Sequence, residues 1–273
     1  MIIDFHTHIF PDRVAESAVS SLAKRVSYAP DSDGTAGGLL SALSRAGADM
    51  AINLPVLTRR GQFESILAFA KEINGRDYEG QRILSFCGIH PHDESAEEHL
   101  YAIHEAGIQG IKIHPDYQGS FIDCEEYVRI LGIAKSLGLI TVTHAGLDAA
   151  FVGEEIKCTP RRVLNLLDKL GGYDRLVLAH LGGRALFDEV ITNLAGLDIY
   201  FDTALVLLEV GQDKFERLLS RHGIDKILFA TDSPWRDIET EVKRIKSYSL
   251  GSVTEEKIFS LNAKNLLGMD KVK

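Results

Sequence analysis

Close to the start of the chain, in "MIIDFHTHIF", His6 and His8 flank a single threonine, and Asp4 precedes them at the same spacing. A β-strand sends alternate side chains to one face. A strand through this run therefore sets Asp4, His6 and His8 on one side and Ile3, Phe5 and Thr7 on the other. Two neutral imidazoles converging at a strand end suit a divalent metal such as Zn2+. Taken alone, the pair is as readily explained by local hydrogen bonding, so the rest of the chain has to decide. "GIKIHPDYQG" puts Lys112 and His114 on one face, "TVTHAG" reaches His144, "LVLAHLGG" His180 and "LFATDSPW" Asp232, each where a β-rich run stops. Five histidines, a lysine and an aspartate in that recurring position point to a metal site rather than to separate structural accidents.

Such residues need a scaffold that gathers strand ends. The β-rich runs are "MIIDF", "ADMAINLP", "RILSFCGI", "GIKI", "LITVT", "RLVLA", "DIYFD" and "KILFA". Helical patterns alternate with them, from "GGLLSALSRAG" through "CEEYVRILGIAKSLG" to "KFERLLSRHG". Thr35 and Thr159 suit helix N-caps, Pro160 a first helical position, and Gly47, Gly107, Gly138, Gly171 and Gly223 helix ends. Strand–helix alternation with short turns implies parallel pairing through right-handed crossovers. Eight fairly even units without a Gly/Pro-rich linker predict an α/β chain, a single (β/α)8 TIM-barrel domain over residues 1–273 finished by C-terminal helices. An open doubly wound sheet is the alternative, but its GxGxxG turn is absent. In a barrel the chemistry lies at the C-terminal ends of the strands, where the residues above fall.

Composition narrows the class. The 273 residues are 45% hydrophobic and 25% charged, ordinary for a soluble globular protein with a sizeable core. A net charge of −9 without dense runs of Lys or Arg argues against partners that are polyanions or anionic membranes. No basic stretch precedes a long apolar core at the N-terminus, and no apolar run would span a bilayer. Cys87, Cys124 and Cys158 are widely spaced and read as small buried hydrophobes, consistent with a cytoplasmic protein.

The pattern of HxH on strand one, His on strands five and six and Asp on strand eight resembles the amidohydrolase superfamily. "HTHIFPD", "HAG", "AHLGG", "TDSPW" and the closing "NAKNLLG" look closest to its amidohydrolase family 2 branch, over the whole chain. The resemblance implies a metal-dependent barrel enzyme, usually a hydrolase and in some members a decarboxylase. His6, His8, His144 and Asp232 would then ligate a divalent metal, with Asp232 also accepting the proton of the attacking water. His180 would complete a second metal site or act as acid/base. In the urease and dihydroorotase branches a lysine placed like Lys112 forms a carbamate bridging two metals, and the histidine after it, here His114, contacts the substrate carbonyl. The competing reading is a single ion, with Lys112 cationic and holding a substrate carboxylate. The implied cofactor is one or two divalent ions, Zn2+ first. Asp4 either fixes the tautomer of a ligating imidazole or fills the interior.

Other features weigh less. His90 and His92 in "GIHPHD" are interrupted by Pro91, which breaks the strand alternation. His99, His104 and His222 fall in helical segments and read as surface residues. Asp202 and Thr203 suit polar contact behind the ligands, and Tyr117, Trp235 and Arg236 loop packing or pocket lining. The expected activity is metal-assisted hydrolysis of an amide, ester or lactone of a small metabolite. A nonoxidative decarboxylase is the second reading. A TatD-like phosphodiesterase is third, since its strand-four glutamate is replaced by Lys112. A noncatalytic metal-binding barrel would be signalled by loss of Asp232 or of an HxH histidine, and neither is lost. The subunit number stays open, a homo-oligomer included.

Overall fold

The computed structural model describes residues 1–26 and 28–269. The described strands are β1 (Ile3–Thr7), β2 (Met50–Asn53), β3 (Arg76–Tyr78), β4 (Gln81–Ser85), β5 (Cys87–Gly88), β6 (Gly110–Ile113), β7 (Ile140–Thr143), β8 (Leu176–Leu178), β9 (Tyr200–Asp202) and β10 (Ile227–Leu228). The helices are α1 (Asp12–Val26), α2 (Ala36–Ala46), α3 (Phe63–Ile73), α4 (Ala96–Glu105), α5 (Glu125–Ser136), α6 (Pro160–Leu170), α7 (Phe187–Asn193), α8 (Leu207–Val210), α9 (Gln212–His222), α10 (Ile238–Ser247), α11 (Ser252–Glu256) and α12 (Asn262–Leu267).

Local chemistry explains the boundaries. The Thr35 hydroxyl accepts from Gly38 N at 2.9 Å to start α2, and Gly47 ends it in the left-handed region at φ 61°. Thr159 caps α6 ahead of Pro160, and Gly171 closes it at φ 61°. All eight expected strands form, with two changes. The third splits at Phe86 into β4 and β5, and an added strand, β3, pairs antiparallel with β4 through Arg76↔Ile83 and Tyr78↔Gln81. Helix α1 is also additional. Its buried face is only Ala15 and Val19, too small to stand out as an apolar stripe.

The chain forms two compact units. One comprises Met1–Asn53, Gly75–Leu84 and Asp202–Lys273, the other Leu54–Asn74 and Ser85–Phe201. In the first unit β1 runs parallel to β2, with Ile3 opposite Met50 and Asp4 opposite Ala51. The other edge of β1 meets the end of the eighth expected strand. Phe5 N donates to Phe229 O at 2.9 Å, Asp232 N to His6 O at 2.9 Å and His8 N to Ser233 O at 2.6 Å. The beginning and the end of the fold are thereby zipped together, carrying His6, His8 and Asp232 with them.

In the second unit parallel pairing proceeds in chain order. Gly88 lies opposite Lys112, Lys112 opposite Val142, and Thr143 opposite Leu178. This register sets His114, His144 and His180 just past the ends of neighbouring strands. Ile111, Ile113, Ile140, Val142, Leu176 and Leu178 are fully buried and make these strands core elements.

Candidate metal centre

In the first unit the early HxH pair and the late aspartate converge. His6 Nε2 lies 3.2 Å from His8 Nε2. Asp232 Oδ1 is 3.3 Å from the former and 3.1 Å from the latter. Bonds of about 2.0 Å to a tetrahedral ion place neighbouring ligand atoms about 3.3 Å apart, so these three atoms form one face of such a polyhedron. The two rings are inclined at 77°, which lets both ring planes contain one common ion. His6 is 1% exposed and Asp232 8%, so these two donors are already desolvated, while His8 is half-buried.

The supports of the triad come from far along the chain. Asp202 Oδ2 accepts from His6 Nδ1 at 2.8 Å, and Asp202 Oδ1 accepts from Ala204 N at 3.1 Å. Asp4 touches no imidazole nitrogen. Its carboxyl accepts from His6 N at 3.2 Å, from Thr231 N at 3.0 Å and from the Thr231 hydroxyl. Asp4 therefore fills the interior and clamps the backbone beside His6 to the residue before Asp232, while the carboxylate that meets the His6 ring is that of Asp202. Burial pushes the Asp4 carboxyl up to about 7 against these hydrogen bonds. Asp232 has φ 69°, uncommon for a residue with a side chain, and its own N–H to His6 O helps to hold it there.

The second unit carries the other expected residues. Lys112 is buried at 1% exposure. His180 Nε2 and His144 Nδ1 are 3.0 Å apart, and His180 and Leu181 sit at φ 60° and 52°. Gly146, at φ 83°, joins their loops: Arg184 N donates to Ala145 O and Leu147 N to Arg184 O. A Cβ on Gly146 would stand 2.2 Å from Arg184 N.

Sequence reasoning missed Asp148. Its Oδ2 is 3.1 Å from His114 Nε2, while its Oδ1 accepts from Ala150 N at 2.6 Å. Burial works against the Asp148 charge, but the hydrogen bond and charge of His114 outweigh it and hold the carboxyl below the usual range. Burial lowers the His114 imidazole despite the aspartate beside it. The only signal in the sequence is an acid four residues after His144.

His114, His144 and Asp148 also bring three ligand atoms within 4.8 Å of one another. The His114 and His144 rings, however, stack at 4.2 Å with only 12° between their planes. Such planes meet far outside the roughly 2 Å reach of a nitrogen–metal bond, so these rings cannot both point a lone pair at one ion. They form a hydrogen-bonded, stacked assembly instead.

One minor expectation changes. His99 is half-buried and stacks on Phe63 at 3.6 Å. The Arg236 guanidinium lies 5.7 Å over the Tyr28 ring. Tyr117 packs edge-on against His114 at 4.7 Å. His90 Nδ1 accepts from His92 N at 3.2 Å, and His92 meets the Ser120 hydroxyl at 2.6 Å. No helix among the described residues is long and apolar enough to cross a membrane.

Strand–helix alternation with a His–His–Asp cluster at the meeting of the first and last strands defines an α/β protein whose described residues include a set able to hold a divalent ion. Residues 3–269 match the amidohydrolase family 2 model, and the chain belongs to that family. A search of curated proteins finds no match. Among solved structures, a TIM-barrel protein from Bordetella bronchiseptica is 15% identical, with a TM-score of 0.74 and coverage of 98% of both chains. A dihydroxybenzoic acid decarboxylase from a Polaromonas species, bound to manganese and 2-nitroresorcinol, is 15% identical at TM-score 0.73, covering 99% of this chain and 98% of that one. A protein proposed to be a 2-pyrone-4,6-dicarboxylic acid hydrolase from Pseudomonas putida is 15% identical at TM-score 0.68, covering 100% and 98%. At such identities the likeness shows the fold, a (β/α)8 TIM barrel.

Proposed function

We propose that the protein is a metal-dependent hydrolase of a small metabolite, cleaving an amide, ester or lactone bond. The observation supporting this reading is the His6–His8–Asp232 triad, whose edges of 3.1–3.3 Å suit a small divalent ion, with zinc our first choice. When bound, such an ion acidifies water toward neutrality and polarises a carbonyl oxygen. Asp232, the carboxylate of the triad, accepts the proton of the attacking water. His180, hydrogen-bonded to His144, returns a proton to the leaving group, and His114, held by Asp148, orients the carbonyl. The family resemblance adds His144 to the ligands, and Lys112 and His180 where two ions are bound. We assign one ion and read Lys112 as an unmodified ammonium that attracts a substrate carboxylate. A net charge of −9 leaves nucleic acids and anionic membranes outside this reading, and the cytoplasm is its proposed setting.

A second reading, nonoxidative decarboxylation of a small aromatic or unsaturated acid, draws on the likeness to the manganese-containing decarboxylase. Metal analysis of protein purified without chelators tests the common premise. One equivalent is expected in the wild type, with loss in His8→Asn, whereas two equivalents would favour a carbamate on Lys112 bridging two ions. Zinc- and manganese-loaded enzyme is then offered 2-pyrone-4,6-dicarboxylate and 2,6-dihydroxybenzoate. Ring opening supports the hydrolase, CO2 release replaces it with the decarboxylase, and a wild type without metal overturns both.

A further inference from the structure

We infer that Asp202 is a positioning residue that decides which nitrogen of His6 meets the metal and how firmly it holds it. The inference rests on the reading of His6, His8 and Asp232 as a metal triad.

His6 has two ring nitrogens, and a ligand histidine must present one of them without a proton. Asp202 settles which one. A carboxylate can only accept, so the 2.8 Å contact between Asp202 Oδ2 and His6 Nδ1 puts the proton on Nδ1. The lone pair is then on Nε2, the atom 3.2 Å from His8 Nε2 and 3.3 Å from Asp232 Oδ1. Both partners are shielded from water, His6 at 1% exposure and Asp202 at 0%, so the hydrogen bond acts at low local dielectric. Asp202 is itself anchored, because its second oxygen accepts from Ala204 N at 3.1 Å.

The pair has an electrostatic consequence as well. Two carboxylates address the same imidazole, Asp232 beside Nε2 and Asp202 at Nδ1. Their two negative charges match a dication in a site otherwise built of neutral imidazoles. Asp202 thus contributes charge compensation and nitrogen basicity without occupying a coordination position, which leaves room for water and substrate. The 196 residues separating the pair along the chain explain why spacing alone does not reveal it.

The test is direct metal binding, which needs no substrate. Metal-stripped wild type, Asp202→Asn and Asp202→Ala are titrated with Zn2+ against a competing chelator. The dissociation constant should rise about 10- to 100-fold in Asp202→Ala. It should rise less in Asp202→Asn, whose amide oxygen can still accept from Nδ1–H. Asparagine keeps the size of the side chain and one of the two acceptors, so it carries the test should the alanine variant fail to fold. Nitrogen-15 histidine spectra of the zinc-loaded protein give a readout that a merely structural role would not move. The wild type should show an imidazole bound through Nε2 with a strongly hydrogen-bonded Nδ1 proton, and that proton signal should shift in Asp202→Asn. Unchanged zinc affinity and an unmoved signal in folded variants would overturn the inference alone. A wild type that binds no zinc would overturn the metal triad and this inference with it.

Discussion

Replacing Asp4 by alanine removes the acceptor of three buried hydrogen bonds, from His6 N, Thr231 N and the Thr231 hydroxyl. Two main-chain N–H groups and one hydroxyl are left in a region where Asp4 and Thr231 are both 0% exposed. Each such loss costs about 1–3 kcal/mol. The buried carboxyl is itself unfavourable, as its rise to about 7 shows. A net loss of about 3–6 kcal/mol follows, toward the lower end of the summed costs. For a domain of this size 1 kcal/mol moves the melting temperature by roughly 2–4 °C, so a fall of at least about 6 °C is expected. Asp4→Asn is the informative partner. Its amide oxygen still accepts from both N–H groups, and its NH2 faces a hydroxyl that can turn to accept. That variant should stay within about 1 kcal/mol of the wild type. Its zinc affinity should also stay near the wild-type value, because Asp4 touches the backbone of His6 and not its ring nitrogens. Scanning calorimetry of metal-stripped proteins at one scan rate makes the comparison. The reasoning is refuted if the alanine variant melts within about 2 °C of the wild type, or if asparagine is as damaging as alanine.

Gly146→Ala would place a Cβ 2.2 Å from Arg184 N on a residue at φ 83°. We expect a loss of more than about 2 kcal/mol and faster proteolysis of the loop after His144, and a wild-type melting temperature would contradict the close approach. Glu241, 2% exposed and 3.3 Å from Arg244 Nε, is held above its ordinary carboxyl value by burial, which its arginine neighbour only partly offsets. A raised folded-state pKa means that stability is lost as pH climbs from the ordinary value of 4.5 through the raised one. Asp4 and the other acids are common to both proteins, so Glu241→Gln should gain on the wild type between pH 4.5 and 7. A stability difference that is flat across this interval would show that Glu241 is not destabilised in the fold.

The legible part of this protein was the part written in short-range patterns. Strand parity alone put His6 and His8 on one face, and the repeated stop of apolar runs at His144, His180 and Asp232 marked the strand ends. Thr35, Thr159 and Pro160 announced two helix starts because capping is a transaction between residues three apart. Helix α1 escaped because its buried face is made of Ala15 and Val19, and the β3–β4 hairpin because three paired residues leave hardly any periodicity. Tertiary structure decided which carboxylate serves which histidine. Asp202 reaches His6 across 196 residues, and Asp4 reaches Thr231 across 227. Asp4 lies inside β1 and Asp202 at the end of β9, and neither position tells which carboxylate meets the ring and which the backbone. The same holds for Asp148, which becomes a partner of His114 only when the loop after β7 folds back on the end of β6. Ring orientation was equally out of reach. His6 and His8 share a strand and stand at 77°, so they can share an ion, whereas His114 and His144 come from neighbouring strands and stack at 12°. Residue type and spacing select the atoms able to bind a metal, but convergence of their lone pairs is a property of packed side chains in three dimensions.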